Sequence, residues 1–277
     1  MKSKIVLGAF VLTLVFGSFA GTAAAQDSIY SAGADIAVVS KYLWRGQRLT
    51  NDWSIQPALT VGIGGFGFNA WGTMDLTAVN PSPLSGINPG DGMQGHFSEV
   101  DYTFSYDHSF ENVSVGGGAI FYTFPDRFAT TAELYGGVSF DTAPLAPSFT
   151  LYVDVDETNA GAGTAGVYFN IAAGHSFAFN NDVFTGIDFG GSIAFANSGF
   201  TGFYYGVSDG GPHDASFTVN LPISIDDNWS AGAWLTYSGL LGDSIRGAQF
   251  GDPRVPGSGG ASYADTVWGG LSLSLSF

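Results

Sequence analysis

The sequence predicts an all-β fold: a transmembrane antiparallel β-barrel of 12 strands with short periplasmic turns and longer outer loops. Its last segment, residues 264–277, alternates strictly from Val267 onward, with leucines on one face and serines on the other. A period of two is the pleat of a β-strand. Earlier segments repeat the pattern, and the connections between them alternate in length, as in outer-membrane barrels. Closure lets the last strand pair with the first, which removes both sheet edges.

The first 25 residues have the features of a secretory signal peptide. Lys2 and Lys4 form a short basic region, residues 5–19 form an apolar run, and residues 23–25 form a small-residue cleavage site. Such a run is too short for a stable membrane anchor. Residues 26–277 are predicted to form one outer-membrane β-barrel domain, since barrels of this length are common.

The composition excludes several classes of protein. The chain has 8 Lys and Arg against 24 Asp and Glu, so nothing in it suits the neutralisation of nucleic-acid phosphates. Cysteine is absent, so disulfides contribute nothing to its stability. Only 12% of the residues are charged, and 41 Gly and 24 Phe accompany them. A disordered acidic chain is poor in Phe, so this composition favours a strand-rich protein in contact with lipid.

Strand one is predicted over residues 35–44. Lys41 and Arg45 fall on one face of it, and Tyr42 and Trp44 fall on the other. A Lys or Arg on the lipid face at mid-membrane costs about 2–4 kcal/mol, so the charged face is predicted to point into the lumen. Tyr42 and Trp44 are then predicted to face outward, in an aromatic girdle at the outer interface.

Strands two to six follow the same rule of an apolar and a polar face. Strand four has the clearest alternation, with Tyr102 and Phe104 opposed to Glu99 and Asp101, and strand six places Glu133 inward. Two glycines after strand two predict a tight turn. The predicted ranges of these five strands are 53–63, 66–76, 97–108, 113–124 and 130–140.

Strands seven to twelve complete the barrel. Residues that favour turns separate several of them, at 144–147, 180–182 and 226–228. The polar faces of strands seven and nine carry Asp154 and Asp188. The predicted ranges are 149–156, 165–178, 183–196, 214–225, 229–237 and 264–277.

A family resemblance covers the first part of the barrel. Residues 40–46 read Ser-Lys-Tyr-Leu-Trp-Arg-Gly, and Gln56-Pro57 and residues 69–72, Asn-Ala-Trp-Gly, follow. This pattern resembles the TorF-type porin family, proteobacterial outer-membrane barrel proteins of uncertain function. The resemblance implies that residues 40–46 belong to the first strand of a barrel. It is specific over residues 34–72 and loose elsewhere.

Acidic side chains dominate the predicted lumen. A water-filled lumen lined by carboxylates favours cations and repels anions. Alternatively, the carboxylates solvate a plugged interior and pair with the few inward bases, and Arg45 forms a structural salt bridge. Inward Trp rings can stack on sugar rings or simply fill a narrow barrel. The predicted lumen and selectivity residues are Lys41, Arg45, Glu99, Asp101, Glu133, Asp154, Asp156, Asp188, Trp71, Trp234 and Trp268.

No catalytic residue, cofactor or metal is predicted. The chain has no Gly-x-Ser-x-Gly, no His-Glu-x-x-His and no Cys/His cluster. His213 and Asp214, with Ser216 nearby, come closest to a hydrolytic set. Adjacency in sequence does not make triad geometry, however.

These features predict a porin-like channel for passive diffusion of small hydrophilic solutes, with a preference for cations, in the outer membrane of a Gram-negative bacterium. Two alternatives stay open: a non-conducting surface barrel acting as adhesin or anchor, and a lipid-modifying outer-membrane enzyme. The predicted partners are outer-membrane lipid, lipopolysaccharide, the solutes themselves and the barrel assembly machinery. That machinery is expected to recognise the C-terminal strand ending in Phe277.

Overall fold

The computed structural model describes residues 29–78, 94–125, 129–156, 164–247 and 264–277. The predicted signal peptide lies outside these residues. Within the described segments, no helix is long and apolar enough to cross a membrane. The elements, in chain order, are β1 (Tyr30–Val39), β2 (Tyr42–Trp44), β3 (Gln47–Thr50), β4 (Ser54–Ile63), β5 (Phe66–Asp75), β6 (Phe97–Ser109), β7 (Ser114–Phe124), β8 (Ala129–Ser139), β9 (Ser148–Asp154), β10 (Val167–Ala178), β11 (Gly186–Ala196), α1 (Ser198–Tyr205), β12 (Gly211–Ser224), β13 (Trp229–Leu240), α2 (Asp243–Gly247) and β14 (Asp265–Ser276).

Twelve of these strands close into one barrel, in the order β1-β14-β13-β12-β11-β10-β9-β8-β7-β6-β5-β4. At the seam, β1 and β14 pair antiparallel, with Gly33 opposite Ser276 and Val38 opposite Leu271. The predicted fold class is therefore confirmed. A closed wall leaves no free sheet edge, because every wall strand has a hydrogen-bonded neighbour on both sides.

The wall separates an apolar outer surface from a polar inner surface. On β14, Leu271 on the outside is 65% exposed, whereas Thr266 on the inside is 6% exposed. On β6, Phe104 lies outside and Asp101 is buried inside. Both strands have the predicted phase. An apolar outer surface of this kind suits contact with hydrocarbon.

The two ends of the barrel differ in their connections. Short turns join β4 to β5, β6 to β7, β8 to β9, β10 to β11 and β12 to β13 at one end, the turn end, where Tyr30 and Ser276 also lie. The opposite end, the loop end, carries the β2–β3 hairpin, α1 and α2. The connections thus alternate as predicted, although the one from Phe124 to Ala129 at the loop end is short.

The prediction of strand one over residues 35–44 is wrong in its second half. The wall strand β1 ends at Val39, and the chain then forms a separate two-stranded hairpin, β2–β3. Tyr42 and Trp44, predicted to face lipid, are only 3% and 5% exposed and pack inside the barrel. We call residues 42–50 the plug hairpin.

A tight turn lets the plug hairpin fold back on itself inside the barrel. Trp44 pairs with Gln47, so Arg45 and Gly46 form a two-residue turn, with φ angles of 47° and 78°. Positive φ at both central residues is the geometry of a tight hairpin turn of type I′. The alternation of the sequence continues from wall to hairpin, so periodicity alone does not reveal the change of direction.

Candidate functional site

The tip of the plug hairpin forms a buried ion pair with the barrel wall. Arg45 Nη1 donates to Glu133 Oε1 at 2.6 Å, and Arg45 Nη2 donates to Glu133 Oε2 at 2.7 Å. Arg45 is 8% exposed and Glu133 is 1% exposed. Because both oxygens are engaged, the pair fixes the plane as well as the position of the guanidinium. Glu133, on β8, therefore locates the plug hairpin inside the lumen.

Aromatic rings enclose the Arg45 guanidinium. Its central carbon lies 4.4 Å from the ring centroids of Tyr152 and Tyr168, 4.5 Å from that of Trp44 and 5.4 Å from that of Phe200. Each cation–π contact of this kind contributes about 0.5–2 kcal/mol, more when water is excluded. The rings and the carboxylate together compensate the loss of hydration of the buried charge.

The wall side of this site is held by hydrogen bonds that do not involve Arg45. Tyr122 OH donates to Glu133 Oε2 at 2.8 Å, and Tyr168 OH donates to Asp214 Oδ1 at 2.8 Å. The Tyr152 ring packs against Tyr168 at a centroid distance of 6.1 Å. The wall thus presents an oriented carboxylate beside two oriented aromatic faces.

Helix α1 is the second part of the plug. The Asn197 side chain caps it by accepting from Phe200 N at 2.9 Å. Phe200 is fully buried and stacks on Trp44 at a centroid distance of 5.8 Å. Tyr204 OH donates to Asp154 Oδ2 at 3.0 Å, and Tyr205 OH donates to the Arg45 carbonyl oxygen at 3.2 Å. The helix therefore contacts both the wall and the plug hairpin.

The two tyrosines of α1 are neutral hydrogen-bond donors. Burial raises the pKa of the Tyr204 phenol above its usual range, and the charges of Glu133 and Asp154 act in the same direction. Burial also raises the pKa of the Tyr205 phenol, and Asp214 adds to that shift. A neutral phenol can donate its proton to a carboxylate or carbonyl oxygen, as both do here.

Gly46 lets the plug hairpin pack closely against the wall. A Cβ atom on Gly46 would lie 2.7 Å from Leu240 Cδ2 and 2.8 Å from Asp214 Cβ. Its φ of 78° is also one that residues with a side chain rarely adopt. Steric space and backbone geometry thus both require glycine at this position.

The remaining acidic residues of the predicted set fall into different environments. Asp101 is 0% exposed, and neither of its carboxylate oxygens has a hydrogen-bond partner among the described residues. Glu99 is buried two residues earlier on the same face of β6. Asp154 accepts from Thr131 as well as from α1. Burial of an ionised carboxylate without a partner is unfavourable, so the surroundings of Asp101 differ from those of Asp154, whose oxygens accept hydrogen bonds.

Three predicted residues lie away from this group. Asp188, on β11, accepts from Asn220 Nδ2 at 2.9 Å. Asp156 lies beyond the end of β9 at the loop end, and its backbone N–H donates to Asp154 Oδ1 at 3.0 Å. Lys41 Nζ donates to the Val267 carbonyl oxygen at 3.2 Å, so this base contacts the end of β14 and not the acidic residues of the lumen.

The three predicted tryptophans point into the lumen but differ in their surroundings. The Trp71 ring is buried against Tyr42 of the plug hairpin, with centroids 5.4 Å apart. Trp234 lies across Gly270, where a Cβ would approach its ring to 2.7 Å. Trp268 is half-buried, and its Nε1 is buried with no partner among the described residues. Trp71 therefore fills space beside the plug hairpin.

His213 and Asp214 form a pair, but Ser216 does not complete it. His213 Nδ1 lies 2.7 Å from Asp214 Oδ1, whereas its Nε2 is buried with no partner in the part of the chain that the structure describes. Phe200, Tyr168 and Tyr205 enclose the imidazole ring. The Ser216 hydroxyl instead bonds to that of Ser192 at 2.9 Å. Among the described residues, no group of three or more His, Cys, Asp or Glu could hold a metal ion.

The sequence left a plugged interior open as an alternative, but it identified neither the plug hairpin and α1 nor the aromatic part of the Arg45 site. Two signals for α1 are present in the sequence: Asn197 as a helix N-cap and Gly206, with φ of 66°, as its C-terminal stop. The phase of strands seven and eight also places Tyr152 and Tyr168 inward. Nothing local indicates that these rings meet Arg45, which lies 88 residues from Glu133 in the chain.

Comparison with known proteins finds similarity at the level of solved structures alone. An outer-membrane channel from Pseudomonas putida F1 is 8% identical, with 90% of this chain and 96% of that chain covered and a TM-score of 0.48. A bacterial polysaccharide outer-membrane secretin is 10% identical, with 90% and 98% covered and a TM-score of 0.43. The outer-membrane phospholipase A of Escherichia coli is 11% identical, with 88% and 89% covered and a TM-score of 0.39.

No family model matches the chain, and no curated protein matches it. The resemblance to TorF-type porins therefore stays a prediction. Its motif, residues 40–46, lies in the connection after β1 and the start of the plug hairpin, not in the first wall strand as the resemblance implied. The similar solved structures are outer-membrane proteins, but TM-scores below one half carry no argument about activity.

Proposed function

We propose that the protein is an outer-membrane channel for small hydrophilic solutes, with a preference for cations, and that the plug hairpin and α1 control its opening. The observation that carries this proposal is the surplus of acidic over basic side chains inside the wall. Arg45 is matched by Glu133, whereas Asp101 and Glu99 place two further carboxyl groups inside the barrel on β6. A lumen with surplus carboxylates attracts cations and repels anions.

The proposal places the plug in the solute path. The plug hairpin pairs only with itself, and Arg45 supplies its ion pair to the wall. Movement of the plug hairpin therefore needs no wall strand to separate from its neighbour. We propose the arrangement described above as the closed or narrowed state, and release of Arg45 from Glu133 as the opening step.

Single-channel recording in planar bilayers tests this function. We expect rare openings in the wild type, more frequent openings in Arg45→Ala, and reversal potentials that indicate cation preference in both. The double variant Glu99→Gln/Asp101→Asn is expected to weaken that preference. Its matched control is Asp182→Asn/Asp227→Asn, which removes two charges from exposed turns at the turn end. Reversal potentials unchanged by the lumen variant would refute the role of β6 in selectivity.

A non-conducting barrel that serves as a surface anchor is the second candidate function. The observation in its favour is the plug itself, since aromatic side chains of the plug hairpin and α1 pack into one buried cluster with the wall. The same recordings separate the two. If neither the wild type nor Arg45→Ala shows any conductance step, the anchor is the better proposal.

We propose outer-membrane lipid and lipopolysaccharide as the surroundings of the apolar outer surface, in a Gram-negative bacterium. Large exposed side chains such as Leu271, Phe66 and Leu59 support this location, because an apolar belt is stable in hydrocarbon and not in water. Recognition by the barrel assembly machinery through the strand that ends at Phe277 is part of the same proposal. Fractionation of membranes after expression tests the location.

A further inference from the structure

The wall residues around Arg45 match a guanidinium ion in shape and charge. Glu133 accepts one hydrogen bond from the guanidinium on each oxygen, and the rings of Tyr152 and Tyr168 each lie 4.4 Å from the guanidinium carbon. Tyr122 donates to Glu133 Oε2, and Asp214 accepts from the Tyr168 hydroxyl, so both groups also have partners other than Arg45. These two bonds join wall residues to each other and do not include Arg45.

We propose that Glu133, Tyr122, Tyr152 and Tyr168 form a binding site for a small guanidinium-bearing cation from solution, and that Arg45 occupies this site as an internal substitute. A cation that replaces Arg45 frees the tip of the plug hairpin. The gating consequence rests on the proposed channel function, whereas the binding site does not. Such a solute would thus open the path that it uses.

The site discriminates a guanidinium from an ammonium ion. A planar guanidinium donates two parallel hydrogen bonds to one carboxylate and stacks flat against aromatic faces. An ammonium ion is a compact and strongly hydrated charge that can do neither in the same way. We therefore expect this site to bind a guanidinium compound about tenfold more tightly than the matching ammonium compound.

Exchange of Arg45 for a free cation separates no pair of wall strands. The plug hairpin contributes no strand to the barrel, and its turn contacts α1 through Tyr205 OH, which bonds to the Arg45 carbonyl oxygen. A tethered side chain has an effective concentration on the order of millimolar or more. A free cation must therefore reach at least that concentration to displace Arg45 in the wild type, whereas a variant without the guanidinium leaves the site open.

The test is chemical rescue of Arg45→Ala in detergent micelles, followed by thermal unfolding. Ethylguanidinium is expected to raise the unfolding temperature, with half of the effect at about tenfold lower concentration than ethylammonium requires. The matched control, Arg45→Ala/Glu133→Gln, should lose this difference between the two cations. The proposed site is wrong if the two cations have equal effects or if neither has an effect. It is also wrong if the difference between them persists in the control. If Arg45→Ala does not fold, Arg45→Gln replaces it, with the same expected and contrary results.

Bilayer recordings of the wild type separate the site from the channel. Ethylguanidinium at millimolar concentration should raise the frequency of openings, and ethylammonium should not. If ethylguanidinium selectively stabilises Arg45→Ala but no conductance is seen, the proposed channel function is wrong and the proposed binding site stands. If conductance is seen but ethylguanidinium does not selectively stabilise Arg45→Ala, the proposed channel function stands and the proposed binding site is wrong.

Discussion

The two halves of the lumen are built from residues of different size on the same strands. On β7, the inward residues toward the loop end are Ile120 and Tyr122, both buried, whereas those toward the turn end are Gly116 and Gly118. On β13, the inward residue at the loop end is the buried Leu240, whereas Gly232 lies toward the turn end, next to the larger Trp234. We therefore expect more free space in the turn half of the lumen, where the inward side chains of β7 are smaller.

One closed wall thus carries the plug in its loop half and mostly smaller inward residues in its turn half, the region that we call the vestibule. At the loop end, large inward side chains meet the plug hairpin and α1 in a close-packed cluster. At the turn end, the inward faces of β14 and β11 carry small residues such as Ser272 and Gly190, next to polar ones such as Asp188. Close packing makes the loop half sensitive to substitution, and the turn half should tolerate it.

The largest expected effect is on the ion pair of the loop half. Glu133→Gln leaves the Arg45 guanidinium buried without a carboxylate, which should lower the free energy of unfolding by about 3–5 kcal/mol. Urea unfolding in lipid vesicles measures it. Adding Arg45→Gln should restore part of the loss, because the double variant buries no unpaired charge at this place.

The matched control for this prediction lies in the turn half. Asp188→Asn removes a buried carboxylate that bonds to the neutral amide of Asn220. We therefore expect Asp188→Asn to lower the free energy of unfolding by less than Glu133→Gln does. If the two substitutions lowered the free energy of unfolding equally, the ion pair between the plug hairpin and the wall would be no more important than an ordinary buried hydrogen bond.

The barrel was predictable because every wall strand lies between the same two environments. One face meets lipid and the other the lumen, so alternation is obligatory along every strand. For β6 the predicted range of 97–108 ends one residue before the observed Phe97–Ser109, and for β7 the range of 113–124 begins one residue before Ser114–Phe124. The errors at β1 and the plug hairpin arise because inward packing on a plug also alternates.

The Arg45 site was predictable only in part. The phase of its strands places Glu133, Tyr152 and Tyr168 inward, and the sequence alone left a salt bridge for Arg45 open as an alternative. Which carboxylate Arg45 meets depends on how far the plug hairpin descends and on the positions of β8, β9 and β10 around the barrel. Both depend on how the whole barrel closes, and the local alternation of residues carries no information about that.

A moderate effect is expected at the turn of the plug hairpin. Gly46→Ala meets a positive φ and a close approach of Asp214, so it should lower the free energy of unfolding by at least about 2 kcal/mol. Gly64, at the turn end, has a φ of 60° but no atom within 4 Å of an added Cβ. Gly64→Ala should therefore cost about 1 kcal/mol, from backbone conformation alone. Urea unfolding of both variants isolates the steric part of the difference.

The smallest effect is expected within the vestibule. A Cβ on Gly232 would meet Ser272 Oγ at 3.1 Å and Asn220 Oδ1 at 3.5 Å, and both atoms end side chains that can rotate away. Gly232→Ala should therefore change the free energy of unfolding by no more than about 0.5 kcal/mol. A loss as large as that of Gly46→Ala would mean that the turn half is packed as closely as the loop half. Such close packing would leave no room for solutes in the turn half of the lumen, and it would contradict the proposed solute path.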